Sequence, residues 1–101
     1  MINPVRLDFA RINNAALALL PSIVVRFFPA GHRYGREWCV GSLAGEPGMS
    51  LKINLTTGVW RDFAAGVGGS DPISLAAAVA GVGQAEAACR LADMLGMSAD
   101  G

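Results

Sequence analysis

Residues 49–75, MSLKINLTTGVWRDFAAGVGGSDPISL, decide the fold. Ser50 to Leu55 alternates, with Leu51, Ile53 and Leu55 on one side and Ser50, Lys52 and Asn54 on the other. A period of two marks a half-buried strand. Thr56-Thr57-Gly58 supplies a turn, since glycine enters positive φ without a steric penalty. Val59 to Phe63 returns as the second strand of a hairpin. Gly66, Gly68 and Gly69 then read as a flexible loop. Asp71 and Pro72 read as the N-cap and first position of a helix.

Outward from this stretch, Glu37 to Val40 reads as a further strand, entered from a basic, aromatic loop at residues 31–37. Gly41 to Gly48 is a second flexible loop. On the N-terminal side, Asp8 to Ile12 suits a short turn of helix anchored by Phe9 and Ile12. Asn13 or Asn14 is the expected cap of a helix whose apolar stripe is Leu17, Leu20, Val24 and Phe27. Pro21 predicts a kink or break in it, and Ile23 to Phe28 alone also suits a buried strand. On the C-terminal side, the first helix extends to about Ala80, with Ile73, Ala76 and Ala80 on one side. A second helix runs from Gln84 to Leu95 with Ala88, Leu91, Ala92 and Leu95 on one stripe. Gly96 reads as its C-cap. The expected fold class is α+β: a small antiparallel sheet of about three strands, with an N-terminal helix and C-terminal helices. The expected divisions are a polar lead-in at 1–13, a domain at 14–96 and a frayed tail at 97–101.

The chain has 101 residues, 52% of them hydrophobic and 16% charged, which fits one small folded domain and excludes a disordered chain. Pro21, Arg26 and Pro29 interrupt the best apolar run, so no membrane span is expected. There is no apolar signal region near the start. Two cysteines, Cys39 and Cys89, are too few for a disulfide framework and suit small buried positions in a reducing compartment. The cytoplasm is therefore expected. Net charge is zero, yet it is unevenly spread. Residues 1–61 carry seven cations and three carboxylates, a net +4, while residues 62–101 carry one cation and five carboxylates, a net −4. A basic face and an acidic end are one outcome; ordinary solvated charge is the other.

The ordered series Gly35-Arg36-Glu37-Trp38, Ser50 to Leu55, Thr57 to Phe63, Gly68 to Leu75 and Ala85 to Gly96 resembles the N-terminal zinc-binding domain of bacterial-type DNA primases. The version in phage and mobile-element primase-helicase proteins is the closer one. The resemblance covers residues 14–96. It implies a zinc-ribbon-like antiparallel sheet with a helical tail that helps engage single-stranded template, while a separate domain makes the primer. It also places ligand pairs at Cys39 with Ser42 and at Asp62 with Ala65, and only Cys39 keeps a ligand type. Structural zinc takes four Cys or His ligands, so the resemblance implies a relative without its metal, and no cofactor is expected. Burial must then replace the metal, with Trp38, Leu51, Ile53, Trp60, Phe63 and the helix stripes as the candidate core.

Arg33, Tyr34, Arg36, Lys52, Trp60 and Arg61 are the candidate nucleic-acid-binding residues. Single-strand binders combine cations for the backbone with aromatic platforms for the bases. Lys52 and Arg61 are placed to share the exposed sheet face; Tyr34, Trp38 and Trp60 are each open between stacking and core roles. The loop before Asp71 could hold an anion at the helix start, but the Asp71 carboxylate is expected to take those donors itself. Asp62 either tethers this loop or fills the place of a ligand. Catalytic residues are not evident: His32 is the lone histidine, and the carboxylates lack paired spacing. Two functions remain. One is an accessory module that engages single-stranded DNA for a primase or primase-helicase. The other is a protein-interaction module docking its apolar helices on a primase or helicase core. In either case the end just after the Gly96 cap also suits a segment of a longer protein.

Overall fold

The computed structural model describes residues 7–100. Residues 1–6, most of the expected lead-in, and Gly101 lie outside the described residues. In chain order come α1 (Phe9–Ala18), α2 (Leu20–Phe27), β1 (His32–Tyr34), β2 (Glu37–Val40), β3 (Leu51–Asn54), β4 (Trp60–Asp62), β5 (Val67–Gly69), α3 (Pro72–Ala80) and α4 (Gln84–Met94). The strands form one antiparallel sheet in sequential order β1-β2-β3-β4-β5. The α+β class is as expected, with five strands in place of about three.

The two additional strands come from segments read as loops. His32 to Tyr34 pairs with β2, Tyr34 opposite Glu37, around a turn in which Gly35 has a φ of 60°. Val67 to Gly69 pairs with β4, Trp60 opposite Gly69 and Arg61 opposite Gly68. Here the glycines serve close approach, not flexibility. A Cβ on Gly69 would stand 2.5 Å from the Trp60 indole nitrogen and closer still to Ser74 Oγ. The central hairpin forms as predicted. Asn54 Oδ1 accepts from the Thr56 and Thr57 amides at 2.9 and 3.0 Å, and Gly58 turns the chain at a φ of 80°.

The turn of helix after Asp8 and the helix expected to start at Asn13 or Asn14 are one continuous α1. Asp8 is its cap, with a carboxylate oxygen accepting from the Arg11 amide at 3.0 Å. Asn13 is indeed a capping residue, but for another helix: its Oδ1 accepts from the Ile73 amide at 3.0 Å, in the first turn of α3. The break at Pro21 is sharp enough to separate α1 from α2 at Leu19. Proline lacks an N–H and collides with the carbonyl four residues back, whereas in the first turn of a new helix neither fault matters. The segment 23–28 is therefore helical up to Phe27, and Phe28 buries its ring completely. α3 begins with the Asp71–Ser74 capping box and ends at Gly81 in the left-handed region. The chain past Gly96 does not hang free. The Asp8 amide donates to Ala99 O at 3.0 Å, and the Arg11 guanidinium donates to the Ser98 and Asp100 carbonyls.

One core unites the helices and one face of the sheet. It contains Ile12 and Ala16 of α1, Leu20, Ile23 and Val24 of α2, and Phe28. Val40, Leu51, Ile53 and Trp60 join it from the sheet; Ile73, Leu75, Ala76, Ala88, Leu91 and Ala92 join it from α3 and α4. Leu20 and Val24 are fully buried, while Leu17 and Phe27 pack half-buried against the core. The Leu17-Leu20-Val24-Phe27 stripe is thus core and not a free docking surface. No single helix among the described residues is long and apolar enough to cross a membrane.

Candidate functional site

Register sorts the strand side chains into two faces. Trp38, Ile53, Trp60 and Gly69 lie opposite one another on the inner, helix-covered face. The adjacent residues form the outer face: His32, Cys39, Lys52, Arg61 and Gly68 make one cross-strand row, and Tyr34, Glu37 and Asn54 the next. Directly opposed side chains in such ladders lie about 5 Å apart at Cβ. Lys52 and Arg61 are therefore immediate neighbours, as predicted. Among the described residues neither has a carboxylate within ion-pair distance; the two ion pairs found there are Arg11–Asp8 and Arg90–Glu86.

A shallow pocket of about 190 Å³ opens on this outer face, lined by Glu37, Lys52, Asn54, Val59, Trp60, Arg61 and Phe63. Phe63 is 64% exposed and Tyr34 54%. The sequence suggests Phe63 for the core, and parity excludes it: Trp60 and Asp62 point inward, so Arg61 and Phe63 point outward. The expected stacking role of Trp60 fails for the same reason. Its ring is 4% exposed and its indole N–H donates to Ser74 Oγ at 2.9 Å. Trp38 is half-buried, and its indole N–H donates to Phe28 O at 3.2 Å. The outward aromatic, directly after β4, is thus Phe63, which sequence reasoning missed. The signal is present, because Val59, Arg61 and Phe63 share one parity. It is masked because Trp60-x-Asp62, with an apolar and a charged residue on the same side, does not announce which side is inward.

The remaining candidates divide. Tyr34 lies on the outer face with Lys52 and Arg61. Arg36 is exposed in the β1–β2 turn, its carbonyl accepting from the Leu55 amide at 2.7 Å. Arg33 stands opposite Trp38, so its register places it on the other face, where its Nε donates to Gly35 O at 3.0 Å. The structure pairs Lys52 with Arg61, sets Tyr34 on the same face two strands away from Lys52, leaves Arg36 in the β1–β2 turn, and separates Arg33 and Trp60 from them.

Asp62 carries the inward charge of β4 at 2% exposure. Its Oδ1 accepts from Ser50 Oγ at 3.2 Å and from the Ala64 and Ala65 amides at 3.1 Å each. Its side chain closes the turn at residues 63–65, at the position where the resemblance places a ligand. Its backbone carbonyl accepts from the Gly66 amide at 2.9 Å, where the chain goes on toward β5. Ser42 closes the loop after β2 in a similar way, accepting from the Ala44 amide at 3.1 Å and donating to Glu46. Hence both turns that the resemblance assigns to ligand pairs are held by hydrogen bonds. Among the described residues no three of His, Cys, Asp and Glu gather in a form that could hold a metal ion. At the start of α3, Asp71 accepts from the Ser74 amide at 2.8 Å and Asn13 from that of Ile73, so side chains of this chain take the donors an anion would use.

Cys39 lies in the outer row yet is 1% exposed. Burial pushes its thiol pKa up, Lys52 draws it back and Glu37 adds to the rise. A protonated, covered thiol is a poor nucleophile. Cys89, expected to be buried, is exposed on α4. Comparison with family models, curated proteins and solved structures finds no match for this chain.

Proposed function

We propose that this chain is a non-catalytic accessory module that engages single-stranded nucleic acid through the outer face of its sheet. The observation that carries this reading is the opposed pair Lys52 and Arg61, free of carboxylate partners among the described residues. Tyr34 and Phe63 stand exposed on the same face. Cations that meet phosphates, beside aromatic rings that meet bases, are what sequence-tolerant single-strand binding requires. The resemblance to primase zinc-binding domains supports a place beside a primase or helicase core of a phage or mobile element, in the cytoplasm. Turns closed by Ser42 and Asp62 are consistent with a relative whose hydrogen bonds have replaced the metal. The test is fluorescence anisotropy of a labelled single strand at two salt concentrations, without added zinc. The native chain should bind in a salt-dependent manner. Lys52→Ala with Arg61→Ala should weaken binding and reduce the salt slope by about 0.7 for each phosphate that is no longer neutralised. Equal binding by native and doubly substituted chains would refute the site.

A further inference from the structure

Glu37 is the member of the outer face that phosphate binding does not explain. It stands opposite Tyr34 on one side and Asn54 on the other, half-buried, and among the described residues it forms no ion pair. A carboxylate on a surface that meets phosphates repels them, unless it faces a donor on the ligand. It lines the pocket shared with Lys52, Asn54, Val59, Arg61 and Phe63. Asn54 is oriented there: its Oδ1 is taken by the Thr56 and Thr57 amides, which leaves Nδ2 to donate outward. The pocket therefore offers one anionic acceptor, several donors and an apolar wall from exposed Val59 and Phe63.

We propose that this pocket reads a guanine in the bound single strand, with Glu37 as the residue that selects it. This rests on the single-strand reading above. Guanine is the base whose Watson–Crick edge presents two adjacent N–H donors, N1–H and the N2 amine, and these match the two oxygens of one carboxylate. Its O6 and N7 are acceptors, suited to Lys52 and to the Asn54 amide. Cytosine and adenine present a single exocyclic amine on that edge, and thymine a single ring N–H. Unstacked bases in single strands are read in this manner, by stacking on an apolar wall and by hydrogen bonds to their edges.

The experiment compares three labelled oligonucleotides by anisotropy: all-thymidine, the same strand with one central guanosine, and the same with inosine, which lacks the N2 amine. The guanosine strand should bind about tenfold tighter than all-thymidine, and inosine should lose most of that gain. Glu37→Gln, checked for an unchanged melting profile, should abolish the guanosine preference. It should also bind all-thymidine more tightly, because a charge that repels phosphate has gone. Salt-sensitive binding with equal affinity for the guanosine and all-thymidine strands overturns the guanine pocket and leaves the single-strand reading standing. A preference that survives Glu37→Gln overturns the role of Glu37. No binding of any strand at low salt overturns both.

Discussion

The two faces of the sheet are built from alternate residues of the same short strands and have opposite fates. In β3 and β4, Leu51, Ile53, Trp60 and Asp62 point one way and are buried; Lys52, Asn54 and Arg61 point the other way and line the open pocket. Each face also carries one residue of unexpected character. The inner face buries the charge of Asp62, which three hydrogen bonds to one oxygen make tolerable. The outer face exposes Phe63 and hides Cys39. Hydrophobicity alone therefore does not say which way a strand faces. Register with neighbouring strands does, because a slip of one residue exchanges the faces along the whole strand.

The contrast can be broken most forcibly from the inner side. Ile53 is fully buried between the sheet and the helices, so Ile53→Ala should cost about 2–5 kcal/mol of folding free energy, read by urea denaturation. In a domain whose total stability is about 5–15 kcal/mol, that change approaches unfolding. Asp62→Ala should come next, at about 2 kcal/mol, since it removes the acceptor of the Ala65 amide and of the Ser50 hydroxyl, while the Ala64 amide keeps Ser50 Oγ at 2.8 Å. The same variant should speed proteolysis in the turn at residues 63–66; an unchanged digestion pattern would mean that the tether is dispensable.

On the outer side the expected effects on stability are small. Phe63→Ser removes a large apolar side chain, yet it should shift stability by no more than about 0.5 kcal/mol, as exposed positions do, while lowering affinity for single strands. A loss of stability comparable to that of Ile53→Ala would place Phe63 in the core after all. The mildest test leaves the sequence unchanged. Iodoacetamide should label exposed Cys89 in the native protein and reach Cys39 only in denaturant. Rapid labelling of native Cys39 would show that the outer row is open where it is described as covered.

Much of this is legible in the residues. The Leu51-Ile53-Leu55 alternation, the Thr57-Gly58 turn, the Asp71-Pro72 helix start and the break at Pro21 are local signals, each set by backbone sterics or by a capping hydrogen bond within a few positions. The Lys52–Arg61 pairing follows from the length of that hairpin. The edge strands are not legible. His32 to Tyr34 is exposed throughout and shows no alternation, and Val67-Gly68-Gly69 reads as a loop until β4 lies beside it.

The sequence by itself determined the hairpin, the Asp71-capped start of α3 and the placing of Lys52 and Arg61 on one sheet face, because those depend on neighbours in the chain. Tertiary structure alone decided four things: that Asn13 caps α3, that Trp60 is anchored to Ser74, that Phe63 stays outside, and that Glu37 shares a pocket with Lys52. The Asn13 contact joins residues 60 positions apart, and the others depend on which face the helices cover. A hydrogen bond or a buried ring has no local signature when its partner lies that far along the chain, and only the packed core brings the two together.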